Sequence, residues 1–171
     1  MGGGAASRRG PEVTRTPEAL MAVVRALEVE TNFAWRPHRR ATANATGGWD
    51  ASPVYSFCNL YVNACTVALG RPIPPRLANS QVAWLKSERG TLAGWLPIDG
   101  ETARQRAESG FPTVAATVSP AGHGHIALVV PRDPAGPTGI YVSSAGASNY
   151  LRCLLFKSFG VAAAPDYWTA Q

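Results

Sequence analysis

Tyr55-Ser56-Phe57-Cys58-Asn59-Leu60-Tyr61-Val62-Asn63-Ala64-Cys65-Thr66-Val67-Ala68-Leu69-Gly70 is the stretch from which the rest of the chain can be read. Apolar residues at 57, 60, 61, 64, 65, 68 and 69 recur with the i, i+3, i+4, i+7 spacing of an amphipathic helix. Gly70 and Pro72 supply a C′ residue and a stop. Cys58 falls in the first turn, where backbone N–H groups lack intrahelical partners and the helix dipole favours an anion. That setting is expected to lower a thiol pKa and permit a thiolate nucleophile. Such a nucleophile needs a base and a group to orient that base.

Working outward, Thr16-Pro17-Glu18 marks a helix start, with a cap, a proline at N1 and an acid in the first turn. Leu20, Val23, Val24 and Leu27 continue it as an apolar stripe to about Glu30. Residues 1–14 read as a flexible tail and 15–171 as one domain. Residues 31–55 contain the breakers Asn32, Pro37, Asn44, Gly47 and Gly48. They read as an ordered, irregular loop anchored by Phe33, Trp35 and Trp49. Residues 77–85 suggest a second helix ended before Gly90, and residues from Asp99 or Gly100 to Ser109 a third. Strands are expected at 113–118, 126–130, 140–144 and 151–156, with Asp166-Tyr167-Trp168 as a short edge strand. Helices first and an antiparallel sheet second make an α+β chain.

The chain has 171 residues, of which 46% are hydrophobic and 16% charged, so it can bury a core and is not a disordered polymer. Its formal charge of +5 suits an anionic partner, whether wall polymer, headgroup or nucleic acid, without choosing among them. No apolar run reaches membrane-spanning length, and the glycine- and arginine-rich start has no signal-peptide core. Cys58 and Cys65 lie about 10 Å apart along a helix, too far for a disulfide. The three cysteines form no metal-ligand spacing, so neither a metal nor a cofactor is expected. Asp99 and Glu101 sit at a helix start and read as dipole partners rather than an acid/base pair.

The base is sought among three histidines. His125 directly precedes Ile126-Ala127-Leu128-Val129-Val130, so a strand fixes its direction; His123 lies between glycines and reads as a residue of the cleft mouth. His38 sits in an arginine-rich loop. Ser143-Ser144 ends the neighbouring strand, about 5 Å away by strand spacing, and can supply the third polar group.

A cysteine on a helix, then a histidine and a polar residue on consecutive antiparallel strands, resembles the NlpC/P60 and CHAP papain-like superfamily. More narrowly, Tyr55-Ser-Phe-Cys-Asn-Leu-Tyr-Val, Leu77-Ala-Asn, Gly124-His-Ile-Ala-Leu-Val-Val-Pro, Ala145-Gly-Ala-Ser-Asn-Tyr and the closing Phe159-Gly…Tyr167-Trp look like a cell-wall amidase subgroup of phage-type lysins and secreted antibacterial effectors. The resemblance covers roughly residues 30–170. It implies a papain-like NlpC/P60-type fold with N-terminal helices packed on a C-terminal antiparallel sheet. It implies a peptidoglycan hydrolase cutting stem-peptide amide bonds through an acyl-enzyme on Cys58, with His125 as base.

The resemblance further implies a third residue at Ser144, where relatives carry Gln, Asn or His; a water, another group or Asn149 are the alternatives. Oxyanion or substrate contacts fall to the Cys58 N–H, Tyr55, Asn59, Trp49 and His123. Peptidoglycan is the implied partner, with a cognate immunity protein or inhibitor, no nucleic acid and no membrane insertion. The site of action would be the wall, reached by phage lysis or a secretion system. Two other readings keep this layout: an acyltransferase or deamidase acting on protein or lipid, and a degenerate wall-binding module.

Overall fold

The computed structural model describes residues 15–39, 42–43, 49–50, 54–120 and 124–171. The 1–14 tail lies outside them. Helix α1 spans Pro17–Ala26, and the Thr16 hydroxyl accepts a hydrogen bond from the Ala19 N–H at 3.1 Å. The expected cap and proline are therefore in place. A single 3-10 turn, Phe33–Trp35, follows. Short strands β1 (His38–Arg39), β2 (Thr42–Ala43), β3 (Trp49–Asp50) and β4 (Val54–Tyr55) pair as β1 with β4 and β2 with β3. The long segment thus contains local strand pairs rather than irregular chain alone. Of its expected anchors, Trp35 holds: its Nε1 donates to Leu27 O at 2.8 Å and its ring meets Tyr61 edge-on. Phe33 does not, being 82% exposed. The side chain of Trp49 lies outside the described residues.

Helix α2 spans Cys58–Ala68, α3 Ala78–Leu85 and α4 Glu88–Leu92, the last an extra turn. Gly90 sits inside α4 because a Cβ there would lie 2.6 Å from Trp84 O. Strand β5 (Trp95–Ile98) precedes α5 (Gly100–Glu108). The sheet continues with β6 (Thr113–Thr117), β7 (His125–Val130), β8 (Tyr141–Ala145) and β9 (Asn149–Leu154), then α6 (Leu155–Phe159) and β10 (Asp166–Ala170).

Six strands form one antiparallel sheet in the order β5-β10-β6-β7-β8-β9. Two sequence expectations change here. The 166–168 strand is interior, because β5 covers its outer side. That edge strand escaped notice because it has four residues and a proline, which an edge position tolerates. The strand expected to run to Phe156 stops at Leu154, and the chain turns into α6.

Both sheet faces are covered. On one face Leu20 and Val24 of α1, Tyr61, Val62 and Cys65 of α2, and Val82 and Leu85 of α3 pack on Val114, Ala116, Ile126, Leu128 and Val130. On the other, Ala107 of α5 meets Ala115, Ala127, Val129 and Val142, with Leu155 and Phe159 of α6 against them. This explains the unbroken Ile126–Val130 run: a strand buried on both faces loses the in/out alternation of polarity. Each fully buried aliphatic side chain in that run contributes about 1.5–3 kcal/mol.

Gly110 closes α5 at φ +78, and a Cβ there would stand 2.4 Å from the Thr16 backbone. Gly110→Ala is expected to lower the unfolding free energy by about 2–4 kcal/mol, from the left-handed backbone and the α1–α5 clash together. A lower urea midpoint with an unchanged slope would show it.

Candidate active site at the N-terminal end of strand β7

Cys58 is the first residue of α2, after Phe57, which offers no side-chain cap. Its sulfur is therefore free to use the local donors. The backbone at Ile126, Asn59 and Cys58 itself and the Ser56 hydroxyl favour its charged form. These contacts favour a thiolate, as the helix-start position suggests. Burial outweighs them: Cys58 is 5% exposed, and desolvation raises its pKa above the usual thiol value. The expectation of a lowered thiol pKa is thus reversed, because the charged form loses more hydration than the donors return.

His125 opens β7, paired with Thr117 of β6. Its Nε2 is 2.8 Å from the Ser158 hydroxyl on α6. Its ring lies edge-on to Phe159, with centroids 4.6 Å apart. Gly146 leaves room beside the ring, since a Cβ there would approach Cε1 to 3.3 Å. Burial among these groups pushes the imidazole pKa down to about 4. At neutral pH the site therefore rests as a neutral thiol and a neutral imidazole.

Strand alternation sorts these groups. Ile126 faces α2 with Cys58, while His125 leans to the α6 face with Ala127 and Val129. The Cys58 sulfur lies near the Ile126 backbone, one residue from His125 along β7 and on the other face of the strand. The same alternation splits the two serines of β8. Ser143 turns to α2, its hydroxyl 2.7 Å from the Tyr61 hydroxyl and donating to Tyr150 O. Ser144 turns to α6, its hydroxyl 2.9 Å from that of Ser158.

The group in contact with His125 is thus Ser158, and Ser144 stands behind it at one remove. The sequence reading missed Ser158 by extending β9 through Phe156. No local signal marks Ser158, which lies between Lys157 and Phe159 just ahead of Gly160.

Asn59 has a structural duty. Its Nδ2 donates to Arg76 O at 2.8 Å, and its carbonyl accepts from the buried Gln81, which also reaches Pro74 O. These bonds fasten the first turn of α2 to the 71–76 connector and to α3, leaving the Asn59 carboxamide engaged within the chain. Asn149 is also committed elsewhere, donating to Val29 O and Trp35 O. The backbones of Tyr55 and Trp49 lie in β4 and β3, with side chains outside the described residues, as is His123 altogether. Cys65 and Cys153 are buried free thiols. Asp99 caps α5 through the Thr102 N–H, and Glu101 pairs with Arg104, so neither belongs to an acid/base pair. Among the described residues no group of three His, Cys, Asp or Glu could hold a metal ion. Compared with known proteins, the chain matches no family model and no curated relative.

The buried imidazole makes stability depend on pH. In the unfolded chain it takes a proton near 6.5, whereas the folded protein resists protonation until about 4. The unfolded state therefore binds more protons between those values. Stability is expected to hold above pH 6.5 and to fall as the pH drops towards 4, by on the order of 3 kcal/mol. Urea midpoints at pH 7, 5.5 and 4.5 measure this, and His125→Asn should flatten that part of the profile.

Proposed function

We propose that the chain is a cysteine hydrolase of amide bonds, with Cys58 as nucleophile, His125 as general base and acid, and Ser158 as the group orienting His125. The observation that supports this reading is the start of β7, where the Cys58 sulfur lies near the Ile126 backbone and the preceding residue is a histidine whose Nε2 is engaged by Ser158. With Nε2 on Ser158, Nδ1 is the nitrogen left for the thiol proton.

The chemistry then follows in two halves. As an amide carbonyl approaches, Nδ1 takes the Sγ proton and the sulfur bonds to the carbonyl carbon. The oxyanion forms near the first-turn N–H groups of α2. The imidazolium returns its proton to the leaving amine as the C–N bond breaks, leaving a thioester on Cys58. Water, deprotonated by His125, attacks the thioester and releases the acid and the thiol. Because thiol and imidazole both rest neutral, proton transfer accompanies attack rather than preceding it.

The resemblance of Cys58, His125 and their flanking motifs to the papain-like wall amidases supports peptidoglycan stem peptides as the substrate, within an NlpC/P60-type fold. Action on the wall and a cognate immunity protein belong to the same proposal. No helix among the described residues is long and apolar enough to cross a membrane.

One observation favours a second reading. A raised thiol, a depressed imidazole and a hydroxyl in place of a carboxamide or carboxylate also describe a site that has lost turnover and only binds wall polymer.

Digestion of purified sacculi separates the two. Wild-type protein should release fragments bearing new free amines, Cys58→Ala should release none while keeping its circular dichroism, and Ser158→Ala should slow release by about 10- to 100-fold. Undiminished release by Cys58→Ala would overturn the nucleophile, and no release by wild type would leave the binding module. Iodoacetamide should also label Cys58 at pH 7 more slowly than an exposed cysteine in a peptide, because little thiolate is present.

A further inference from the structure

His125 can serve the reaction only if the start of β7 is held at a fixed height against α2. The connection from β6 to β7 runs from Val118 to Gly124, and one side chain grips both of its ends. Asn79, in the first turn of α3, donates from Nδ2 to Ser119 O at 2.8 Å and accepts from the Ser119 N–H at 3.2 Å through Oδ1. The two bonds match the carboxamide to one residue's backbone, as a neighbouring strand would. At the other end, Gly124 packs against the same carboxamide: a Cβ there would lie 2.3 Å from Asn79 Oδ1 and 2.3 Å from Thr117 O. Gly124 immediately precedes His125, and Thr117 is the residue of β6 paired with His125.

Asn79 is itself firmly based. It lies between Ala78, which is buried in the core, and Ser80, and Gln81 on the next turn fastens α3 to Asn59 beside the nucleophile. Helix α3 therefore touches both halves of the site, Cys58 through Asn59 and His125 through Asn79.

We propose that Asn79 is a positioning residue that sets the pose of His125 by clasping Ser119 and bearing on Gly124. It rests on the proposed Cys58–His125 chemistry for its catalytic meaning. Its effect on the imidazole can be measured without turnover.

The test compares wild type with Asn79→Ala and Asn79→Asp, the second keeping an acceptor for the Ser119 N–H and losing the donor. The first readout is the NMR titration of the His125 ring, identified by its loss in His125→Asn. In Asn79→Ala the clasp opens, water reaches the ring, and the midpoint should rise from about 4 by one pH unit or more towards 6.5. Asn79→Asp should show a smaller rise.

The second readout is amide hydrolysis. The turnover number should fall on the order of 10- to 100-fold in Asn79→Ala with KM within about twofold, and recover in part in Asn79→Asp. A purely structural asparagine would lower the melting temperature and leave the midpoint in place. An unmoved midpoint in a folded Asn79→Ala protein overturns the proposal; should that variant not fold, an unmoved midpoint in Asn79→Asp overturns it equally. A moved midpoint in a protein that hydrolyses nothing upholds the clasp and removes the enzymatic reading instead.

Discussion

The structure depends on β7 being buried on both faces. A strand enclosed between α1–α3 on one side and α5–α6 on the other has no solvent-facing row, so each residue must belong to one helical layer or the other. At its N-terminal end this constraint has a chemical result. Ile126 turns its side chain to α2 and its backbone lies near the Cys58 sulfur, while His125 turns to α6 and finds Ser158 and Phe159. Two helices far apart in the sequence, α2 and α6, are thereby brought to neighbouring residues of one strand.

Burial has an electrostatic cost at the same place. Removing water from a thiol and an imidazole disfavours the charged form of each, raising one pKa and lowering the other. The backbone and hydroxyl groups near the sulfur work against that, while the partner of the imidazole among the described residues is a neutral hydroxyl. The stable resting pair is thiol plus imidazole. A bound substrate carbonyl would supply the missing drive by accepting the sulfur as its proton departs.

The helical half was legible because its signals are local. Thr16 and Pro17 announce α1, and the apolar spacing through Leu69 announces α2. The continuous Ile126–Val130 run announces a strand buried on both faces once the second layer is known. What escaped depends on contacts distant in sequence. Nothing near Trp95–Ile98 tells that it will border β10, and nothing near Ser158 tells that a turn after Leu154 will bring its hydroxyl under a histidine 33 positions earlier. Its polarity and its place on the next strand point to Ser144 as the partner of His125. Alternation does put it on the correct face, but a serine side chain is short, and the gap is filled by a second hydroxyl from α6.

That serine pair bears on how the base can work. A carboxamide oxygen can only accept, so it fixes a histidine with Nε2 protonated. A hydroxyl can accept or donate. If Nε2–H donates to Ser158, Ser158 donates to Ser144; if Ser158 donates to Nε2, Ser144 donates to Ser158. Both chains keep their hydrogen bonds, so the serines select the tautomer weakly. Only the first leaves Nδ1 with a lone pair for the thiol proton, and it persists unchanged when the ring becomes imidazolium. On the proposed chemistry the reacting tautomer, with Nδ1 unprotonated, is then selected from the thiol side. The proposed base would then be competent only with the proposed nucleophile in place, which ties the role proposed for His125 to the same first turn of α2 that holds Cys58.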